Sequence, residues 1–344
     1  MKSKYIAWAI APIFLIGCSD YLETPPSVDY GENEVFATRA DAEKLLTTLY
    51  AEGMPYGFCM SSSNTDRRLL SSSTLASACD EGEDVATWAM GNAAWNAGNH
   101  TNTNFPWDED CRFYLRNHTM RVANLILKRI HEVPFDEGDP DFNKRTTGEA
   151  YFMRAMLLWE GVYRYGGMPI VREVIDPTDF SQRPRNSFSD CIDSILIDCD
   201  RATQYLPDYY TDNAKLGRAT RIAALALKAR VLLYAASPLF NTSTPYMSFP
   251  GHEDLIGYGN YDRERWKKAA DAAKAAIDAA LASGHYKIHN TGNPDKDYED
   301  VWTIPDNEEI ILGNMKYRNF KTTSRPLVAN LPTWAMNKAW GDAG

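Results

Sequence analysis

The stretch GEAYFMRAMLLWEGVYRYGGMPIV, from Gly148 to Val171, decides the architecture of this chain. Within it Tyr151, Ala155, Leu158, Val162 and Tyr165 recur at spacings of four and three, which lays a single apolar stripe along an α-helix. Gly166 and Gly167, followed by Pro169, end that helix, because glycine leaves helical geometry freely and proline cannot continue it. The same spacing predicts three more helices, on Phe188, Ile192, Ile195, Cys199, Ala202 and Leu206, on Ile222, Ala226, Ala229, Leu233 and Ala236, and on Trp266, Ala270, Ala273, Ile277 and Ala280. Pro207, Pro238 and Gly284 stand at their ends.

Two further helices are predicted upstream, over Thr38 to Glu52 and between Trp107 and His131, the second marked by Val122, Leu125 and Ile126. Only Met168 to Val174 and Glu309 to Met315 read as strands, too few to alternate with helices in a parallel sheet. Residues 53–106 are crowded with Gly, Ser, Asn and Thr and read as long loops, which are more often functional than idle at that size. The alanines of the later stripes let helix axes approach closely. The expected fold is therefore mostly α, with tetratricopeptide-like stacked helical hairpins, long loops and few short strands, although no strict repeat of about 34 residues is present.

Apolar residues make up 44% of the 344 and charged residues 24%, which suits a packed globular body. The net charge of −10, with no block of Lys and Arg, argues against a nucleic-acid groove. At the N-terminus Lys2 and Lys4 precede an apolar run from Tyr5 to Gly17, too short to span a bilayer comfortably and read as a signal peptide over residues 1–17. LIGC, Leu15 to Cys18, resembles a bacterial lipobox, in which the cysteine is acylated and becomes the new N-terminus; Ser19 and Asp20 resemble the acidic export tags of Bacteroidetes surface lipoproteins. Several acyl chains anchor firmly where one does not, at about 0.8 kcal/mol per buried methylene. Residues 18–36, with Pro25, Pro26 and Gly31 and no helical period, are expected to form an extended tether ahead of a domain over 37–344. The other cysteines, Cys59, Cys79, Cys111, Cys191 and Cys199, show no zinc spacing. Cys191 and Cys199 fall about 12 Å apart along one helix, too far to bridge; the spacing leaves room for one disulfide among the others, and buried free thiols are the expectation.

The opening stretch closely resembles the R-A-x-x-Y/L-x-x-L-x-x-x-Y-G-x-x-P-L signature of the SusD/RagB family, and GRATRIAALALKARVLLYAASPLFN, Gly217 to Asn241, resembles that family's second signature. WKKAADAAKAAID followed by IILGNMKYRN resembles its next helix and strand, ASACDEGED (Ala76 to Asp84) its Asp-Glu loop, and LPTWAMNKAWGDAG its P-T-x-x-L-V-D-x-F-x-x-x-D-G element, with Trp334 and Lys338 as departures. The resemblance runs over about residues 18–344. It implies a non-catalytic, glycan-binding outer-membrane lipoprotein, exposed at the cell surface and seated on a SusC-like TonB-dependent transporter. Family chains usually continue past the last matching element, so the resemblance also implies that a C-terminal part is missing.

A glycan receptor needs flat aromatic faces against sugar C–H groups and a few polar groups for hydroxyls. Trp95 and Trp88, in the long loops away from any stripe, are the first candidates; Tyr317 and Arg318, beyond the second strand, and Tyr258 and Tyr261, in a Gly-rich loop, follow. Trp107, Trp159, Trp266 and Trp302 read as core. Asp80, Glu81 and Glu83 form one acidic loop and Asp136, Asp139, Asp141 and Asn143 another; each could offer oxygens to Ca²⁺, but without an EF-hand spacing both read as solvated loops, and no cofactor is expected. Arg154, inside an apolar helix, reads as making a structural ion pair or capping backbone carbonyls, and Arg218 and Arg221, at a helix start, read as structural. The six histidines form no HExxH and there is no G-x-S-x-G, so no catalytic centre can be assembled. Two competing readings are a helical-toroid glycosidase, which should have about six helical hairpins with loop carboxylates, and a purely structural lid on a transporter.

Overall fold

The computed structural model describes residues 31–54, 80, 96–99, 101, 107–176, 178–304 and 307–313, with side chains described for all of these except 107–115 and 302. Along the chain run α1 (Glu32–Val35), α2 (Arg39–Gly53), α3 (Trp107–Arg129), α4 (Phe142–Tyr165), α5 (Phe188–Tyr205), α6 (Arg221–Ala236), α7 (Glu264–Ala282) and α8 (Pro294–Thr303). From α2 to α7 each helix packs on its neighbours in sequence, and the most extensive pairings are α4 with α5 and α6 with α7. That is the stacked-pair arrangement the stripes predict, and the helices begin where local chemistry allows. The hydroxyls of Thr38, Ser187 and Thr220 accept the backbone N–H of Asp41, Asp190 and Ala223, satisfying donors that a first turn leaves orphaned.

The core centres on α4, whose Ala150, Phe152, Met153, Ala155 and Val162 are almost wholly shielded from solvent. On α5 the predicted stripe is buried throughout, from Phe188 to Leu206. Gly148, inside α4, lies so close to the end of α5 that a Cβ there would stand 2.8 Å from Leu206 and 2.9 Å from Tyr205. At the end of α4, Gly166 takes a positive φ of 75°, a left-handed conformation natural to glycine. A chain of rings ties the pairs together: Trp159 meets Tyr234 edge-on at 5.0 Å, Tyr234 meets Phe240 at 5.0 Å, and Phe240 stacks on Phe188 at 4.5 Å. Cys191 and Cys199 are buried and free, and burial pushes both thiols up.

Several expectations are corrected. The tether does not extend to residue 36: α1 forms at Glu32–Val35, and Phe36 is buried beneath the Arg129 guanidinium, 5.1 Å from its ring centre. No strand occurs among the described residues. Met168 to Val174 is extended, but its polar groups are met mainly by side chains: Asn124 donates to the carbonyls of Val171 and Glu173, and Asn186 Oδ1 accepts the N–H of Ile170. Asn307 and Glu308 precede the second expected strand, whose described part, through Gly313, lies in turns and bends; Asn307 donates to the last carbonyls of α8 instead.

The stripe of α7 is rotated from its predicted phase, and that of α6 is met only at its two ends. On α6, Ile222 and Ala236 of the predicted stripe are buried, but so are Ala224, Leu227, Val231 and Ala235, while Leu233 is 55% exposed, because a helix packed on both sides is apolar over most of its surface and has no unique phase. On α7 only Ala269 is buried, whereas Trp266 is 39%, Ile277 59% and Leu281 61% exposed. The small residues take the close approach to α6, and the large ones stay outside, so Trp266 is not core. Trp159, at 5%, is. An unforeseen helix, α8, starts at Asn293, whose side chain accepts the N–H groups of Asp295 and Lys296, with proline in its first turn.

Of the two roles expected of Arg154, the structure shows the ion pair. Its guanidinium grips Asp198 through two hydrogen bonds of 2.8 Å and donates to Asn124 at 2.9 Å, while Arg172 reaches Asp198 at 3.2 Å. This buried network joins α3, α4, α5 and the extended segment after α4. Arg221 pairs with Asp208, and Arg218 with the buried Glu149 at 3.4 Å.

Candidate functional site

The end of α5, the connection to α6 and the start of α4 enclose a cleft of about 320 Å³. Its position follows from a helix stop. Pro207 ends α5 and Thr220 caps α6, so the chain between them crosses the end of the bundle. Both ends of that crossing are clamped: the N–H of Arg221 donates to the carbonyl of Pro207 at 2.7 Å, and the Arg221 side chain pairs with Asp208. A one-turn 3₁₀ segment at Asn213–Lys215 is capped by Asp212, and the Tyr210 hydroxyl donates to the carbonyl of Ala219 at 3.1 Å.

Aromatic and charged groups share the walls. Tyr205, Tyr209 and Tyr210 bring rings; Asp139, Asp141, Lys144, Arg145, Asp212 and Lys215 bring three negative and three positive charges. Arg145 holds Asp139 through paired bonds of 2.9 and 2.7 Å, and this keeps the carboxyl below its ordinary range. Lys215 lies 3.5 Å from both Asp139 and Asp212. Asp136 is held by Arg39 and by the N–H of Gly138, and Asn143 donates to the carbonyl of Val133. In this acidic loop Asp136 and Asp139 are thus ion-paired, while Asp141 stays exposed as expected. At the cleft's rim, Asp141 and Lys144 form no ion pair among the described residues. Behind it sits Glu149, whose burial pushes its carboxyl up against the pull of Arg218, the Tyr50 hydroxyl and Arg145. Burial, then the charge of Glu149, pushes the Tyr210 phenol up as well.

Tyr209 is 38% exposed and stacks on His285, with ring centres 4.7 Å apart and planes within 3°. It also lines a second, smaller cavity of about 40 Å³, which His285 lines too. His285 in turn meets Tyr286 edge-on at 4.8 Å, so the Tyr209 ring is braced from the α7 side.

Of the glycan candidates, Tyr258 and Tyr261 are described. The Tyr258 ring meets Phe188 edge-on at 5.3 Å and carries the Arg265 guanidinium 3.7 Å from its centre, and burial pushes its phenol up to about 12. It terminates the ring chain of the core. Tyr261 is 63% exposed. The structure does not bring either into the cleft. Cys18, Trp88, Trp95, Tyr317, Arg318, Glu81 and Glu83 lie outside the described residues, as do Cys59, Cys79 and the side chains of Trp107, Cys111 and Trp302. Asp80 is exposed, and among the described residues no group of three His, Cys, Asp or Glu could hold a metal ion. The cleft went unforeseen although TQYLPDYY, residues 203–210, signals it: three tyrosines cluster around a helix-stopping proline.

Among the described residues no helix is long and apolar enough to cross a membrane. No curated protein matches the chain. Among solved structures it resembles a SusD-like protein from Bacteroides fragilis NCTC 9343, at 25% identity and a TM-score of 0.59, with 83% of this chain and 47% of that one covered. A SusD-like carbohydrate binding protein from Bacteroides vulgatus ATCC 8482, at 17% identity and a TM-score of 0.55, shares the fold over 81% of this chain and 51% of that one. The chain thus spans about half the length of these relatives. Residues 20–233, more than half of the chain, match the SusD-like family described as starch-binding and associating with the outer membrane, and the chain belongs to that family.

Proposed function

We propose that this protein is a lipid-anchored receptor on the outer surface of the outer membrane that captures oligo- or polysaccharide and passes it to a SusC-like TonB-dependent transporter without cleaving it. The observation that carries this reading is the family match over residues 20–233, whose description joins starch binding to the outer membrane. LIGC at Leu15 to Cys18 supports the anchor, with residues 1–17 removed as the leader and Cys18 acylated. The reading requires no cofactor.

Affinity electrophoresis of the full chain through gels containing a panel of polysaccharides tests capture. Retardation by at least one glucan, with no new reducing ends after prolonged incubation and no change with EDTA, is the expected result. Release of reducing ends that stops on mutating a carboxylate would replace this reading with that of a glycosidase. Delivery is tested separately, by co-purification with an outer-membrane barrel from the native host.

A further inference from the structure

We propose that the cleft between the start of α4 and the α5–α6 connection is a subsite for an uncharged saccharide, with Tyr209 as its stacking platform and Asp141 and Lys144 as hydroxyl partners. This rests on the capture reading and adds to it a place and a ligand class.

Three observations lead there. The first is volume: about 320 Å³ stands at the lower end of small-molecule sites, roughly 300–1,000 Å³, which suits a short piece of a chain whose remainder lies outside. The second is charge. Three carboxylates and three cations line the cleft, so its lining carries no net charge that would favour an anion or a cation. A sugar hydroxyl both donates and accepts, and needs such mixed surroundings. The inner charges are already committed to each other, Asp139 to Arg145 and Lys215. The rim pair is not: Asp141 can accept and Lys144 can donate without breaking an ion pair among the described residues.

The third is preorganisation. Tyr209 borders both cavities, while His285, stacked parallel to it, lines only the smaller. With one face covered by His285, the opposite face of the ring is the one left for sugar C–H groups. The braced ring and the clamped connection are ordered before a ligand arrives, which reduces the entropy lost on binding.

Calorimetric titration of the full chain with maltohexaose, cellohexaose, laminarihexaose, xylohexaose and, as the anionic probe, tri-galacturonic acid tests the proposal. At least one neutral oligosaccharide should bind and the galacturonate should not. Tyr209→Ala should weaken that binding about fivefold, the equivalent of about 1 kcal/mol for a lost stacking face. Lys144→Ala, an exposed change that leaves the core untouched, should weaken it two- to threefold, and Lys274→Ala on the outer side of α7 should not change it. If both cleft variants bind like the parent, the subsite is wrong while capture stands. Preference for the galacturonate would overturn the uncharged class. If the parent is retarded by no polysaccharide and binds no probe, capture and the subsite fall together.

Discussion

Asp198 receives two guanidinium groups in a place that water hardly reaches, with its side chain 3% exposed. Removing one partner of a buried pair costs more than the pair contributes, because the survivor keeps its charge without compensation. Asp198→Ala is expected to lose about 3–5 kcal/mol in urea denaturation. Asp278→Ala, which removes the exposed partner of Lys274 on α7, should change stability by less than about 0.5 kcal/mol. Arg154 was legible as structural, through an ion pair or through backbone carbonyls; the choice and the partner were not, because Asp198 lies 44 residues away on another helix.

His289 belongs to the same scale. Nε2 lies 3.1 Å from Asp300 and Nδ1 3.3 Å from Glu308, and the bond to Asp300, helped by Glu308, holds the imidazolium above its ordinary range. A raised histidine contributes its full stabilisation below the unfolded value of about 6.5 and loses it as pH climbs through the folded value. The Tm should therefore fall between pH 6 and pH 8, and His289→Asn should flatten that fall. A fall of equal size in the variant would mean that another group titrates. Asp300, held low by Lys296 and His289, acts at the other end of the range: its contribution is present above about pH 4 and is lost in acid.

At the scale of elements, caps and close approaches locate the helices. Thr220 accepts the Ala223 N–H at 3.1 Å, and Thr220→Ala should cost about 1 kcal/mol in chemical denaturation. Gly148→Ala should cost about 1–3 kcal/mol, since the added methyl meets Leu206 and Tyr205 and α4 must draw back from α5. Start and stop signals were readable because they act within a few residues: Thr38, Gly166 and Pro207 stand where the helices begin or end. The outward turn of Leu233 on α6 and of Trp266 on α7 was not, because an alanine-rich helix offers several apolar faces and the neighbour chooses among them. Met168 to Val174 misled for a related reason: extended, apolar residues satisfy a strand pattern, yet the partners are side chains of Asn124 and Asn186.

At the scale of the whole molecule, the order of pairs from α2 to α7 places the start of α4 beside the end of α5, and the cleft exists only through that meeting. The proposed anchor at Cys18 is tested at the same scale. Cys18→Ser should shift the protein from the outer-membrane fraction to the soluble fraction while leaving glycan retardation of the purified chain unchanged. Loss of both together would place the binding surface at the N-terminus.

The sequence by itself determined the helical class, the ends of most helices and the family signatures at Gly148 and Gly217, all of which rest on periodicity or on groups only a few residues apart. Only the tertiary structure decided which face of α6 and α7 turns inward, what holds the extended segment after α4, and that Tyr205, Tyr209 and Tyr210 line one cleft with Lys144 and Asp141. Those outcomes depend on which helix lies against which, and packing between residues some 60 positions apart leaves no local pattern to read.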